Sequence, residues 1–573
     1  MKISHQLRNK HSSKHKNAAT SLAENTWLFN LATKPANENI MELILKHPLN
    51  WIAYCEQLAK NYQQHEKYLD AATCYKTLVE KRGAKTDDLI NLSIVLFKAG
   101  EMSDSLIYAR QAYSKDRLNP TITKVFLECL ITTNHPQEAL DLALEKLKET
   151  PNDNDYKVAV AQSNRLLGNW DKTIEILSEL ANTQKELRFK LLLADAYGET
   201  DSGKALPIYE AALAVGGNSL PITYTNSHNP KESCRVYDGE KFSPIFYYNL
   251  SLHYLRTRQF KEGWRLYEFG LDRDIGLFGR KVPYNLKGMF RADLVDNPDP
   301  SNWTIVCSEQ GIGDQLICLS AIEEARKDFP NLILTCEGRM ASIIKRSFPD
   351  LQLMTSGKIG DGAFNVIGQN LGYVPLGSML AKYRPDTEAF LANKKPYISV
   401  DGDLYHQYRE QLKQIANGRK ILGISWKSHV AANIAKIKST AFTNWLGVFD
   451  KDTLVVNLQY GNTDAEQSLA KANGFDMVSF NQLDFTKDLE HWLALSAACD
   501  GITCISTSLV HFAGACGQKV SVVMPYNQGH WSVGVTDTES IIYPNVNIFR
   551  IEAKEDIPSL IKRASLHITK EFS

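Results

Sequence analysis

The sequence predicts an α-helical repeat array followed by an α/β region of two lobes, each built on a parallel β-sheet. Two observations carry this prediction. Small residues recur at a 34-residue spacing in the first half, and strand–turn–helix units follow one another in the second half. A chain of 573 residues is too long for one hydrophobic core, which agrees with several domains.

The composition is that of an ordinary globular protein, with 43% hydrophobic and 23% charged residues. Lys and Arg total 65, as do Asp and Glu, so we expect no nucleic-acid partner, because such proteins carry a basic excess. The ten cysteines form no C-x-x-C pair, which predicts reduced thiols, a cytoplasmic protein and no structural zinc. No apolar run is long enough for an integral membrane segment.

The repeat is visible in small residues 34 positions apart, the last of which follows after 32. They are Ala71, Ser105, Ala139, Thr173 and Ala205. Turns with the same period precede three of them, at Gly100, Asn134 and Gly168. Antiparallel helices approach closely where one presents a small side chain, and such turns favour residues that tolerate positive φ. The period resembles the tetratricopeptide repeat (TPR), which implies a superhelix that binds a peptide or protein; a spacer or dimerisation face is the alternative.

A bridging segment follows the repeats. After a polar stretch at 216–244, helical periodicity returns at 247–271, with the strings Tyr-Asn-Leu-Ser-Leu at 248–252 and Gly-Trp-Arg-Leu-Tyr-Glu at 263–268. We expect a further helical hairpin with Gly263 at the small position. The second string resembles bacterial proteins in which TPRs precede a glycosyltransferase domain. Their catalytic halves are similar to the heptosyltransferases of glycosyltransferase family 9 and, more distantly, to O-GlcNAc transferases.

This resemblance, which extends to about Trp531, implies a GT-B fold of two Rossmann-like lobes facing across a cleft. It also implies an enzyme, a glycosyltransferase that uses a nucleotide-sugar donor and needs no metal or other cofactor. The expected domains are a disordered basic tail at 1–24, TPR-like repeats at 25–215, a linker and bridging hairpin at 216–300, an N-terminal lobe at 301–398 and a C-terminal, donor-binding lobe at 399–573.

In the first lobe, the apolar strand 303–307 leads through a glycine turn into a helix predicted at 316–326. This arrangement places backbone N–H groups and a helix N-terminus at a ligand. By itself, Asp314 at the start of the helix is either a cap or a cleft carboxylate. The resemblance implies that it is the general base for the acceptor hydroxyl. The residues of the predicted cleft loop are Gln310, Gly311, Gly313 and Gln315. Further strands are predicted at 332–336 and 364–367.

In the second lobe, the predicted strands at 421–427 and 454–461 end in polar residues, and a hydroxyl-rich turn follows the predicted strand at 501–505. The carboxyl ends of parallel strands bind ligands, so these residues are expected at the cleft. The resemblance implies that the hydroxyl-rich turn at 506–508 holds the donor pyrophosphate. The predicted donor-binding residues are Lys427, Lys438, Gln459, Ser506, Thr507, Ser508 and His511. His511 either reaches the pyrophosphate or braces the turn, and surface solvation is the alternative for each lysine.

Two positions depart from the family pattern: Lys438 stands where Arg is usual, and Ser506 stands where Asp is common. The segment 520–525 is predicted as the final strand, and His530-Trp531 resembles an aromatic segment that flanks the donor base. Asp-x-Asp triplets at 153, 272 and 401 do not follow predicted cleft strands, so we interpret them as surface turns rather than metal ligands.

The sequence is compatible with three functions. The first is transfer of a sugar to an acceptor protein or peptide that the repeats bind. The second is transfer to a saccharide acceptor, as in lipopolysaccharide assembly. The third is a catalytically inactive interaction scaffold, which the two departures at Lys438 and Ser506 favour.

Overall fold

The structure is a computed structural model that describes residues 50–65, 67–216, 244–271, 280, 282, 289–295, 299–355, 371–428, 438–525 and 530–570. The chain divides into two compact units, with the boundary between Ile176 and Leu177. The predicted basic tail at 1–24, the predicted strand at 364–367 and the triplet that begins at Asp272 lie outside the described residues.

The described part of the first unit is helical. Its helices are α1 (Trp51–Gln64), α2 (Tyr68–Arg82), α3 (Thr86–Ala99), α4 (Met102–Lys115), α5 (Pro120–Thr132), α6 (Pro136–Glu149) and α7 (Asn154–Leu166), and α8 (Trp170–Thr183) crosses the unit boundary. Asn119 and Asp153 cap α5 and α7 by accepting backbone N–H groups of the first turn. Pro120 and Pro136 stand at the first helical position, where a missing N–H costs nothing.

The small residues of the repeat lie where paired helices touch. Ala71, Ser105, Ala139 and Thr173 are each 0% exposed, and each belongs to the second helix of a pair. The Ser105 hydroxyl donates to the Ser93 carbonyl at 2.8 Å, and the Ser93 hydroxyl donates back to the Ser105 carbonyl at 3.0 Å. These hydroxyls therefore satisfy themselves within the contact, and the predicted TPR-like helical repeat is confirmed.

The turns of the repeat also have the expected conformation. Gly100, Asn134 and Gly168 have φ angles of +87°, +61° and +71°. Glycine adopts this left-handed region without strain and asparagine tolerates it, so one turn geometry recurs with the period of the repeat.

In the second unit the helices continue with α9 (Leu187–Thr200), α10 (Ser202–Gly216), α11 (Pro244–Arg256) and α12 (Phe260–Tyr267). Helices α11 and α12 form the predicted bridging hairpin. A Cβ atom on Gly263 would lie 2.6 Å from Leu255 Cδ2, so only glycine fits this position. Arg258, five residues earlier, has a φ of +65° and occupies the place that Gly100 holds before Ser105. The hairpin thus repeats the local geometry of the array.

The first sheet consists of five parallel strands in the order β1-β5-β2-β3-β4. The strands are β1 (Phe290–Arg291), β2 (Trp303–Cys307), β3 (Asn331–Cys336), β4 (Gln352–Thr355) and β5 (Leu371–Pro375). The helices of this region are α13 (Ile312–Leu319), α14 (Ile322–Asp328), α15 (Ala341–Ser347), α16 (Leu376–Tyr383) and α17 (Thr387–Ala392).

The second sheet consists of six parallel strands in the order β11-β10-β9-β6-β7-β8. The strands are β6 (Lys420–Ser425), β7 (Thr453–Asn457), β8 (Met477–Val478), β9 (Gly501–Ile505), β10 (Val520–Met524) and β11 (Val546–Arg550). Its helices are α18 (Gly402–Ala416), α19 (Asp464–Ala472), α20 (Leu489–Ala498), α21 (Ser508–Ala515) and α22 (Ile557–Lys570). Short 3₁₀ helices lie at Glu268–Leu271, Ala292–Leu294, Gly338–Met340, Phe442–Trp445 and Trp531–Val533.

Both sheets reverse their strand order at a central strand. In the first sheet the reversal lies between β2 and β5, and in the second between β6 and β9. Connections leave such a switch point in opposite directions, which opens a crevice at the carboxyl ends of the strands. The predicted cleft loop follows β2, and the predicted turn at 506–508 follows β9.

The two sheet regions contact each other directly. Arg346 of α15 forms an ion pair with Glu490 of α20, and Tyr397 donates its hydroxyl to the Leu316 carbonyl at 2.7 Å. The backbone N–H groups of Tyr397 and Ile398 both donate to Ala515. The segment that joins the two regions is therefore bonded to α13 on one side and α21 on the other.

Some sequence-based expectations differ from the structure. The prediction that 520–525 is the final strand is wrong, because β11 pairs with β10 from Val546 to Arg550. Strand β11 lies at the sheet edge and is only partly buried, so its apolar signal is weak. The helix predicted at 316–326 is two helices, α13 and α14, and β1 joins the first sheet ahead of the predicted lobe start at 301.

Other expectations are met. Nine cysteines of the described region are free, eight of them buried. Asp153 and Asp401 each cap a helix, as expected for residues at surface turns. Among the helices that the structure describes, none combines the length and apolarity needed to cross a bilayer.

Replacing Ala139 by Leu tests the packing of the repeat. Ala139 is 0% exposed, so the larger side chain must push α5 and α6 apart, at a cost of about 1–3 kcal/mol. We expect a lower midpoint of urea unfolding, followed by circular dichroism. The control is Glu145→Leu on the exposed face of the same helix, which should change stability by less than about 0.5 kcal/mol. Equal effects of the two variants would contradict the placement of Ala139 in the close contact between α5 and α6.

Candidate functional site

Asp314 lies in the first turn of α13, directly after the glycine turn that follows β2. Gly311 is the N-cap of this helix, and no side chain caps it, so Asp314 does not serve as the cap. Instead, Asp314 Oδ1 lies 3.0 Å from Nε2 of His530, and the two side chains are 28% and 30% exposed. A carboxylate of the first sheet region thus meets an imidazole of the second.

His511 of α21 completes this meeting point. A Cβ atom on Gly313 would lie 2.9 Å from His511 Cδ2, so the imidazole rests against the backbone of α13. On its other side, His511 Nδ1 lies 3.1 Å from the Tyr543 hydroxyl. His511 therefore braces the contact between the two regions. Gly313 was predicted as part of the cleft loop, and its missing side chain admits this ring.

The charge of Asp314 follows from its surroundings. Burial opposes its ionisation, but the hydrogen bond from His530 and the field of Lys438 outweigh burial and lower the pKa of Asp314. A depressed pKa keeps the carboxylate ionised at neutral pH. Asp314 can therefore accept a proton there.

Lys438 brings a positive charge into the same region. Burial lowers the pKa of Lys438, and the nearby Arg256 lowers it further, while Glu199 and Asp314 oppose this shift. Arg256 ends α11, and Glu199 lies near the end of α9. Neither residue was expected near Lys438, because both belong to helices whose periodic apolar residues indicate only packing.

The remaining donor-binding candidates lie at one edge of the second sheet. Strands β6 and β9 are neighbours, and Ser425 of β6 lies opposite Cys504 of β9. Lys427 and Ser506 follow these two residues at the same distance along the chain, so both stand at the carboxyl ends of adjacent strands. Thr507 is the N-cap of α21, but its side chain makes no cap hydrogen bond. Its hydroxyl oxygen is buried and, among the described residues, has no hydrogen-bond partner. Ser508 begins α21, the helix that carries His511.

Gln459 stands just beyond β7, at the carboxyl end of the strand, and its side chain bonds the neighbouring backbone. Its Oε1 atom accepts backbone N–H groups from Trp426 at 3.0 Å and from Lys427 at 2.8 Å. Its Nε2 atom donates to the Lys427 carbonyl at 2.8 Å. The amide thus fixes the backbone that presents Lys427, and donor contact by the Gln459 side chain remains a prediction.

Side chains of the bridging hairpin form hydrogen bonds with the predicted cleft loop. Tyr267 donates its hydroxyl to Gln310 Oε1 at 3.0 Å, and Gln310 Nε2 donates to the Tyr248 hydroxyl at 3.2 Å. Gln315 Nε2 donates to the Gln310 carbonyl at 3.0 Å. A Cβ atom on Gly311 would lie 3.5 Å from Asp314 Oδ2, an ordinary contact. Both tyrosines come from the two strings of the bridging segment.

A buried ion-pair network ties the same loop to the hairpin. Arg280 bonds Glu309 through two nitrogens, each at 2.8 Å, and its side chain is 0% exposed. Arg280 also pairs with Glu268 at 3.2 Å. Burial opposes ionisation of Glu268, but the charges of Arg291 and Arg280 outweigh it and lower its pKa to about 2. The sequence offered one signal for this network, since Glu268 closes the string at 263–268.

No protein-family model matches the chain, and no curated protein matches it. Several solved TPR structures are similar to part of it. A tetratricopeptide repeat protein from Parabacteroides merdae is 11% identical with a TM-score of 0.35, over 45% of this chain and 93% of that chain. A thermophilic TPR protein from Thermus thermophilus is 16% identical with a TM-score of 0.25, over 28% of this chain and 90% of that chain.

The pH dependence of stability tests the buried state of His511. Burial, aided by the field of His530, lowers the pKa of His511 from 6.5 to about 3. Between these values the unfolded chain takes up a proton that the folded chain does not. The contribution of neutral, buried His511 to the free energy of unfolding is therefore fully present above about pH 6.5 and is lost as the pH falls towards 3.

We expect His511→Asn to reduce the slope of stability against pH in this window by up to about 1.4 kcal/mol per pH unit. The measurement is urea unfolding at a series of pH values. His406→Asn, at an exposed position of α18, is the matched control and should leave the slope unchanged. An identical slope for wild type and His511→Asn would contradict burial of this imidazole.

Proposed function

We propose that the chain is a glycosyltransferase of the GT-B type, which moves a sugar from a nucleotide donor to an acceptor hydroxyl. The two parallel-sheet regions are its lobes, and the space at their switch points is its cleft. The observation that supports this proposal most directly is the convergence of Asp314, from the first region, with His511, His530 and Lys438 from the second.

In the proposed reaction, Asp314 is the general base. The acceptor oxygen bonds to the anomeric carbon while its proton passes to the carboxylate. The bond between the anomeric carbon and the diphosphate oxygen breaks, and the electron pair leaves with the diphosphate. Asp314 lies where the two sheet regions meet, and its carboxylate is ionised at neutral pH, which supports this role.

Lys438, Lys427 and the N-terminus of α21 are the proposed diphosphate site. Positive charge and helix N–H groups stabilise the negative charge that develops on a departing diphosphate. The Thr507 hydroxyl supports this assignment, because it is buried without a partner in the described part of the chain and can donate to a phosphate oxygen. Lysine binds phosphate as a point charge rather than as a planar fork.

The TPR-like repeat is the proposed acceptor-binding element, which favours a protein or peptide acceptor over a saccharide. Stacked helical repeats offer an extended surface for such partners. An interaction scaffold without transferase activity is the second candidate. Two features favour it: the Gln459 side-chain amide is already hydrogen-bonded to the backbone, and Ser506 stands where the resembling family commonly has Asp. Calorimetry with nucleotide-sugar donors separates the two functions.

Asp314→Asn tests the base. We expect hydrolysis or transfer with a panel of UDP-, GDP- and ADP-sugars to fall by about 10²–10⁴-fold, because the amide cannot accept the proton. Nucleoside diphosphate affinity should stay within about twofold of wild type, since the base does not hold the diphosphate. Asp403→Asn, at an exposed position of α18, is the control. Normal turnover by Asp314→Asn would refute the role, and failure of wild type to bind any donor would favour the scaffold.

Lys438→Met tests the diphosphate site. Loss of the ammonium group should raise the dissociation constants for UDP, GDP or ADP, whichever binds, by about tenfold, or roughly 1.4 kcal/mol. Isothermal titration calorimetry at two salt concentrations measures this change, which should be larger at low salt because screening is weaker. Lys451→Met, at an exposed position before β7, should bind like wild type. Unchanged affinity of Lys438→Met would remove this residue from the site.

A further inference from the structure

The imidazole of His530 is held at both of its nitrogens. The backbone N–H of Ser532 donates to His530 Nδ1 at 3.3 Å, and the Ser532 hydroxyl lies 2.9 Å from the same atom. A backbone N–H can only donate, so Nδ1 is an acceptor and the ring proton resides on Nε2. That proton is directed at Asp314 Oδ1, 3.0 Å away.

We propose that His530 is a positioning residue for the carboxylate of Asp314, and that Arg258 of the bridging hairpin holds His530 in place. This inference rests on the proposed function, since it assigns how the base of that reaction is oriented. The hairpin is then a working part of the transferase site rather than a connection between domains.

The geometry separates the roles of the two residues. Both nitrogens of His530 are engaged, so the imidazole has no free lone pair for an acceptor proton. Asp314 gives one oxygen to His530, and within the described part of the chain no hydrogen bond occupies Oδ2. The acceptor proton therefore passes to Oδ2, while the proton on His530 Nε2 stays in its bond to Oδ1. One proton moves, and the imidazole is unchanged at the end of the step.

Arg258 forms hydrogen bonds with the segment 530–537, which carries His530. Its Nη1 atom donates to the Trp531 carbonyl at 2.8 Å, and its Nε atom donates to Asp537 Oδ2 at 2.9 Å. Its Nη2 atom also donates to the Ser532 carbonyl at 3.4 Å. The bonds to the Trp531 and Ser532 carbonyls fix the backbone at Ser532, the residue that sets the His530 tautomer. The left-handed turn at Arg258, with a φ of +65°, places the guanidinium there.

Two further contacts hold the same segment. Arg550 Nη2 donates to the carbonyls of Val533 at 2.7 Å and Gly534 at 2.9 Å. The Trp531 ring packs edge-on against Trp264 of α12, with centroids 5.4 Å apart. The hairpin therefore touches the His530 segment through an arginine and a tryptophan. Its tyrosines hold Gln310 on the Asp314 side.

The experiment compares His530→Phe with His530→Gln, using a donor that the wild-type chain turns over. His530→Phe should lower kcat by about 10- to 100-fold, as expected for a misplaced reacting group. It should also move the acidic limb of the pH profile to higher pH, because the bond that lowers the pKa of Asp314 is lost. His530→Gln keeps an N–H donor and should restore most of both properties.

Two additional variants sharpen the test. Asp314→Asn combined with His530→Phe should be no slower than Asp314→Asn alone, because residues that act as a unit are not additive. Arg258→Gly preserves the left-handed turn and removes the guanidinium. It should shift the acidic limb in the same direction as His530→Phe, by a smaller amount. His406→Phe is the control for a histidine outside the site.

An unchanged pH profile in His530→Phe, or equal defects in the Phe and Gln variants, would overturn the positioning role while leaving the transferase function intact. A normal profile in Arg258→Gly would overturn the part assigned to the hairpin. Absence of turnover by the wild-type chain with the whole donor panel would refute the proposed function and this inference with it.

Discussion

The contact between Gly313 and His511 is the constraint on which the candidate site depends. A Cβ atom at Gly313 would come within 2.9 Å of the imidazole, so the absence of a side chain allows α13 and α21 to meet. Each helix begins at the switch point of its own sheet. Their contact brings the first turn of one region, with Asp314, to the polar loops of the other. Burial of His511 in this contact also keeps its imidazole neutral.

The bridging hairpin supports this arrangement from both sides. Tyr248 and Tyr267 fix Gln310 of the cleft loop, and Arg258 fixes the segment that presents His530. Behind the loop, the buried carboxylate of Glu309 and the half-buried carboxylate of Glu268 share Arg280. Removing one partner of such a network leaves an uncompensated buried charge, which costs far more than a surface ion pair contributes. The loop geometry is therefore coupled to the hairpin.

This coupling gives the proposed transferase a physical reason to carry helices in front of its α/β region. The same hairpin geometry that recurs in the repeat, a left-handed turn five residues before a small residue, is used at Arg258 and Gly263 to build part of the site wall. Arg256 and Glu199, from helices of the same unit, place further charges near Lys438. The helices that precede the α/β region thus add side chains to the surroundings of the candidate site, while both sheets keep their strand order.

The sequence by itself determined the features that depend on local or periodic patterns. The 34-residue period predicted the helical repeat and its positive-φ turns, and strand–turn–helix signals placed Asp314 and the turn at 506–508 at the carboxyl ends of strands. Tertiary structure alone decided that His530 bonds Asp314, that His511 rests on Gly313, and that Gln459 holds the Lys427 backbone. The edge strand β11 also required the partner β10 to be recognised. The physical reason is separation along the chain: these partners lie about 30 to 220 residues apart, and only the folded packing of both sheets brings them together.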